Sequence, residues 1–211
     1  MRANKLRQNN KMTPRKLRVN VLRLAFIPTV FVAVFVRPRW GIQSIAAFAV
    51  ELGGYFFLLS GLMLRIWCTF YIGGQKSKAL ITTGPYSICR NPLYIGTFLL
   101  AIGAGLCFEN LFMLALVVGI VVPAHLIVTR MEETHLEGLF ADEYRTYKQK
   151  VPRYWPRFSN YSSPDVLEVR LRVIRRIAFD TLGVLLLPEI EDLIEVLHEH
   201  GIIPVLWHLP Y

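Results

Sequence analysis

Apolar residues in this chain fall into four long blocks, at about 24–36, about 42–64, 92–108 and 111–129. Soluble domains show shorter runs with a helical or strand period instead. A membrane crossing takes roughly 20 apolar residues, so the first block is short and the third and fourth are near the lower limit. The second runs on toward Tyr71. The pattern predicts an all-α fold: a polytopic membrane protein with about four transmembrane helices. Spans three and four form a tight hairpin through Cys107-Phe108-Glu109-Asn110, where turn residues interrupt the apolar run.

Beyond the fourth block the pattern changes. Leu136, Leu139, Phe140, Tyr144 and Tyr147 recur at helical spacing with charges between them, so 130–150 reads as a cytosolic continuation of the fourth span. Val151-Pro152-Arg153-Tyr154-Trp155-Pro156 ends it, because neither proline can extend a helix. Three regions follow: a basic arm at 1–23, a transmembrane core at 24–157, and an amphipathic or interfacial tail at 158–211. Within the tail, 172–187 is apolar around Arg175, Arg176 and Asp180, too short and too charged to span comfortably. Residues 189–200 suggest an acidic amphipathic helix, which suits a lid, an interfacial anchor or a partner contact.

Charge then orients the core. Of 211 residues 54% are hydrophobic and only 18% charged, yet the net charge is +9. The basic residues gather before the first span, between the second and third (Arg65, Lys76, Lys78, Arg90) and after the fourth. The positive-inside rule places both termini, the 65–91 loop and Glu132-Glu133 in the cytosol. This implies an integral protein of an inner membrane or the endoplasmic reticulum with its active site facing the cytosol. A nucleic-acid partner is excluded, because the basic residues are not interleaved with aromatics on a soluble face. The long basic region without a small-residue cleavage site does not read as a secretory signal. Cys68, Cys89 and Cys107 have neither disulfide nor metal spacing, and no metal site is expected.

The candidate chemistry lies at one edge of the core. Residues 84–94 read Gly-Pro-Tyr-Ser-Ile-Cys-Arg-Asn-Pro-Leu-Tyr, a polar turn running into an apolar helix. Asn91-Pro92 is a strong helix start, and a helix N-terminus attracts a carboxylate or phosphate. Glu132 and Glu133 repel one another unless they meet a cation or donors, and they suit ribose hydroxyls or an ammonium group. Together these features point to a small charged cofactor at the membrane surface. Glu51 is expected near the outer surface, with its helix beginning later. His125 reads as an interhelical hydrogen-bonding residue, and Gly103-Ala104-Gly105 as a close-packing face. There is no Walker loop and no Ser/His/Asp arrangement.

Gly84-Pro85-Tyr86, Arg90-Asn91-Pro92-Leu93-Tyr94, Glu132-Glu133 with Leu136, Phe140, Tyr144 and Tyr147, and Val151-Pro152-Arg153 resemble the isoprenylcysteine carboxyl methyltransferase and phospholipid methyltransferase superfamily over about residues 60–157. The resemblance implies a membrane-embedded enzyme using S-adenosylmethionine. It further implies that Leu80, Ile81, Tyr86, Asn91, Pro92 and Tyr94 wrap the cofactor and that Glu132 closes the site. The isoprenylcysteine enzymes carry histidine where this chain has Asn91, and their substrate-side arginine falls on Val128. The acceptor implied is a lipid or lipid-like molecule, either an isoprenylcysteine-like carboxylate or a phospholipid amine. A carboxylate needs only an orienting cation, for which Arg153 and Arg130 are candidates. An amine must lose a proton, which calls on Glu133 or His125. Two other readings compete: a nicotinamide-dependent sterol-type reductase, which resembles the same hairpin, and a non-catalytic membrane protein.

Overall fold

The computed structural model describes residues 28–32, 34–38, 45–73, 79–108 and 111–209. The basic arm and the tip of the hairpin at 109–110 lie outside them. Of the expected first span, residues 28–32, 34 and 35 are helical. The chain then forms strand β1 (Val36–Pro38) and helices α1 (Ile45–Ile72), α2 (Pro85–Ile88), α3 (Pro92–Cys107), α4 (Leu111–Lys150) and α5 (Leu171–Glu199), before strand β2 (Trp207–Leu209). The architecture is all-α apart from β1 and β2, which pair in parallel with Val36 opposite Trp207.

Two helices are long and apolar enough to cross a membrane: α1 over Phe48–Ile72 and α4 over Phe112–Lys150. Helix α3 is apolar but has only 16 residues, about 24 Å of rise. On α1, Ile45, Phe48, Leu52, Phe56, Leu59 and Met63 are all exposed. Their spacing of three or four places them on one stripe, as a lipid-facing surface requires. Helix α1 begins at Ile45, so Glu51 sits inside its second turn rather than ahead of it. Arg65, expected in a loop, also lies within α1 and donates to Thr97 Oγ1 across the α1–α3 contact at 2.7 Å.

That contact is made backbone to backbone. A Cβ on Gly61 would lie 2.7 Å from the carbonyl oxygen of Gly96, and one on Gly103 would lie 2.6 Å from the backbone nitrogen of Leu58. The glycines at 54 and 61 on α1 meet those at 103 and 96 on α3, one heptad apart on each helix. The Gly103 region is therefore a packing face, as the sequence suggested.

Helix α4 has 40 residues, about 60 Å, roughly twice the hydrocarbon thickness, so its second half projects beyond the bilayer. It breaks at Ala141 (φ 39°, ψ −110°), which redirects the last turns. There Tyr144, Tyr147 and Val151 form a buried cluster with Leu80, Leu136 and Phe140 packed against it. Leu139, on the same predicted stripe, is exposed. The tail also differs from expectation: 171–199 is one continuous helix that contains Pro188. A helix tolerates an internal proline where its lost hydrogen bond and ring clash are absorbed locally.

Candidate active site

The site forms where the α2 turn, the start of α3 and the projecting half of α4 meet. Gly84 opens the turn at φ 61°, and any Cβ there would run into the Tyr71 ring, so glycine is required twice over. Its amide donates to the Ser162 carbonyl at 2.6 Å, and the Ser87 hydroxyl donates back to the Gly84 carbonyl at 2.7 Å. The Tyr147 hydroxyl ties α4 to the turn by donating to the Tyr86 carbonyl at 2.7 Å. The prolines after α4 turn the chain so that 152–157 runs beside 88–91. Arg90 N donates to Pro152 O at 2.8 Å, Asn91 N to Arg153 O at 3.2 Å, and Arg157 N to Ile88 O at 3.0 Å. This ladder delivers Arg153 to the carboxylates.

Glu133 is the centre of the cluster and is buried. Its carboxylate accepts from Asn91 Nδ2 at 2.9 Å and from Arg153 Nη2 at 2.6 Å and Nε at 3.1 Å. Arg90 Nε stands 3.6 Å from Glu133 Oε1. That hydrogen bonding raises the already high pKa of the Arg153 guanidinium. Glu132 faces a different partner: it is half-buried and accepts from the Tyr94 hydroxyl at 2.7 Å. The neighbouring carboxylates thus avoid mutual repulsion by pointing to different donors.

Asn91 does precede α3, but its side chain does not cap the helix. Its amide group donates to Glu133, and its backbone carbonyl takes the Tyr94 amide at 3.1 Å. With Pro92 lacking a donor and Asn91 N bonded to Arg153, little of the N-terminal amide set remains for an anion. A better anion site is Arg90, which the sequence shows within the motif Arg90-Asn91-Pro92-Leu93-Tyr94. Its Nε and Nη1 are buried with no hydrogen-bond partner among the described residues, and the buried Tyr86 hydroxyl has only the weak Cys68 thiol beside it.

The other expected residues divide. Pro92 and Tyr94 are buried in the site. Leu80 packs on the Tyr144 cluster, and Ile81 is half-buried beside it in sequence. Arg130 is exposed, and its side chain makes no bond to the cluster. His125 is buried, and its Nδ1 pairs with the Val121 carbonyl of its own helix at 2.8 Å. Its ring packs edge-on to Tyr94 at 5.3 Å and to Phe98 at 6.1 Å, so it braces the tyrosine that holds Glu132. Burial raises the Tyr86 phenol and pushes the Cys89 thiol up to about 11.

Comparison with known proteins adds a family to this geometry. Residues 40–143 match the phospholipid methyltransferase family. A cobalt-zinc-cadmium resistance protein of Cupriavidus metallidurans is 30% identical over 193 residues, covering 88% of this chain and 85% of the relative. A nickel-cobalt-cadmium resistance protein of Alcaligenes xylosoxydans xylosoxydans is 33% identical over 149 residues, 69% of this chain and 68% of the relative. The protein-S-isoprenylcysteine O-methyltransferase of Schizosaccharomyces pombe is 35% identical over 81 residues, 37% of this chain and 33% of that enzyme. No solved structure matches the chain. Apolar spans, the turn-and-carboxylate site at their edge and these matches agree: the chain belongs to the phospholipid methyltransferase family, within the membrane methyltransferase superfamily.

Proposed function

We propose that this protein takes a methyl group from S-adenosylmethionine and transfers it to a lipid-like acceptor at the cytosolic edge of the bilayer. The observation that carries the reading is the division of labour between the two carboxylates beside a buried, under-bonded arginine. A site built only for packing has no use for buried polar atoms without partners. The donor set fits a zwitterionic nucleoside: Arg90 suits the amino-acid carboxylate, Glu132 a ribose hydroxyl or the amine, and Tyr94 and Tyr86 a cation beside an aromatic face. When bound, S-adenosylmethionine supplies a methyl group already activated on sulfur. The chain's part is then to hold, align and exclude water.

The bonding of Glu133 bears on the acceptor. Arg153 and Asn91 both donate to it, so it is a positioning residue and a poor general base. His125 Nδ1 is engaged by the Val121 carbonyl, and its ring packs on Tyr94. With Glu133 held by two donors, this reading favours an acceptor that arrives as a nucleophile. A carboxylate fits, oriented by the half-exposed Arg153. The metal-resistance names of two relatives concern those proteins, and among the described residues no three His, Cys, Asp or Glu side chains gather as metal ligands.

The test is label transfer. Membranes containing the protein are incubated with methyl-labelled S-adenosylmethionine and extracted for lipid. Base-labile label, as a methyl ester gives, is the expected result; base-stable label points to an amine acceptor. Oxidation of NADPH by the purified protein without any methyl transfer would replace this reading with the reductase one.

A further inference from the structure

Helix α5 lies wholly outside the residues that match the family, and the sequence alone leaves its task open. Its neighbours follow one another in strict antiparallel order along α1. Near its start, Val173 sits against Gly73, at the end of α1 that carries the site. One to three turns on, Arg176 to Val184 face Leu62 to Thr69 of α1 across a shared cleft. Farther along, Glu189 and Asp192 share the surroundings of Glu51 and Tyr55. Beyond that, His198 Nε2 lies 2.8 Å from the Val34 carbonyl, Leu206 N donates to Phe35 O at 3.0 Å, and β2 pairs with β1.

We infer that α5 is a further membrane crossing, packed along α1, and that it places residues 200–209 on the face of the bilayer opposite the active site. The argument is one of connectivity. The site loop adjoins the Ile72 end of α1, where Gly84 meets Tyr71, while β1 is tied by a short segment to the Ile45 end. If α1 crosses the bilayer, a strand paired with β1 cannot share a side with the site. The chain from Arg157, bonded to Ile88 at the site, must therefore pass through the membrane to reach Trp207.

Length and charge support the crossing. The 29 residues of α5 rise about 43 Å, ample for the roughly 30 Å of hydrocarbon. Between Ile177 and Pro188 only Asp180 is charged, and Arg176 stands 3.8 Å from it one turn earlier. Both residues also line the cleft shared with Arg65 of α1, where a polar lining gathers rather than scattering along the helix. Arg172, Arg175 and Arg176 mark the end nearest the site, and Glu189, Glu191, Asp192, Glu195 and Glu199 the far end. That polarity agrees with the positive-inside rule applied to the other spans. The uncharged stretch is short, but its neighbour α3 is short too, so both suit a locally thinned bilayer. Leu182, Leu186, Ile190 and Leu193 are exposed along one face, continuing the lipid-facing surface of α1. The C-terminal segment, expected on the site's side from charge alone, is thereby moved to the opposite side.

The experiment uses two single substitutions on the full chain, Val166→Cys before α5 and Ile202→Cys after it, both at exposed positions. The described native thiols, Cys68, Cys89 and Cys107, are buried. A membrane-impermeant maleimide is applied to spheroplasts and, separately, to inverted vesicles. The inference expects each cysteine to be labelled in one preparation only, and not in the same one. Labelling of both in the same preparation overturns it and makes α5 a surface helix or an interface with a second copy. Fusions to the unaltered C-terminus give an independent reading: an active phosphatase with a non-fluorescent green fluorescent protein supports the crossing, and the reverse pattern overturns it.

Discussion

Glu133→Gln should destabilise the protein far more than Glu132→Gln, although the residues are adjacent and chemically identical. The first change leaves the shape intact but removes the one carboxylate that, among the described residues, faces both Arg90 and Arg153. Arg153 is 39% exposed, so water compensates much of its loss, and its share is discounted accordingly. The Arg90 side chain is only 9% exposed and keeps its charge without a counter-ion. Stranding one member of a buried pair costs about 3–5 kcal/mol, and the amide retains some bonding, so about 3 kcal/mol is expected. For a chain of 211 residues that lowers Tm by about 6–12 °C. Glu132→Gln keeps an acceptor for the Tyr94 hydroxyl at a half-buried position and should cost under about 1 kcal/mol. Thermal unfolding of detergent-purified variants, followed by tryptophan emission, measures both. An equal loss in the two variants, or a larger one in Glu132→Gln, would refute the separate roles assigned to the carboxylates.

Other expectations follow from the same geometry. Gly103→Val forces a side chain into the Leu58 backbone and should cost about 3 kcal/mol or more, while Gly119→Ala, which meets nothing within 4 Å, should stay near neutral; thermal unfolding separates them. Ala141→Gly relieves a positive φ and should raise stability by about 1 kcal/mol in the same assay. Tyr94→Phe removes the donor to Glu132 and should weaken methyl-donor binding about tenfold with little change in folding, checked by calorimetry. Cys89, whose thiol burial pushes up to about 11, holds its proton more tightly folded than unfolded. Its contribution to stability is therefore full below pH 9 and declines as pH rises toward 11, and at pH 7 it should resist alkylation until the protein is unfolded.

How much of this was legible in the sequence differs by element. The α1 and α4 blocks announce themselves, because a bilayer demands long uncharged runs and few other structures produce them. The Gly103 face was legible for the same reason: small residues on an apolar helix have one common use. The site's parts were visible as Asn91, Tyr94, Glu132, Glu133 and Arg153, but their pairing was not. Adjacent glutamates look equivalent until the α4 break at Ala141 and the returning 152–157 segment fix which one meets Arg153. Asn91 reads as a cap from local sequence, yet a buried carboxylate 42 positions away takes its side chain instead. Helix α5 was least legible. Its charges argue against a span one residue at a time, and only its alignment along α1 shows that they sit at opposite ends or in a pair. Arg65 was misplaced similarly, since its partner Thr97 lies on another helix.

The measurement that bears most directly on the central claim is titration calorimetry of the detergent-purified protein with S-adenosylmethionine, with NADPH as comparator and Glu132→Gln as the variant. The account predicts saturable binding of S-adenosylmethionine, weakened in the variant while its unfolding is unchanged, and no binding of NADPH. Binding of NADPH alone, or of neither ligand by folded protein, would contradict it.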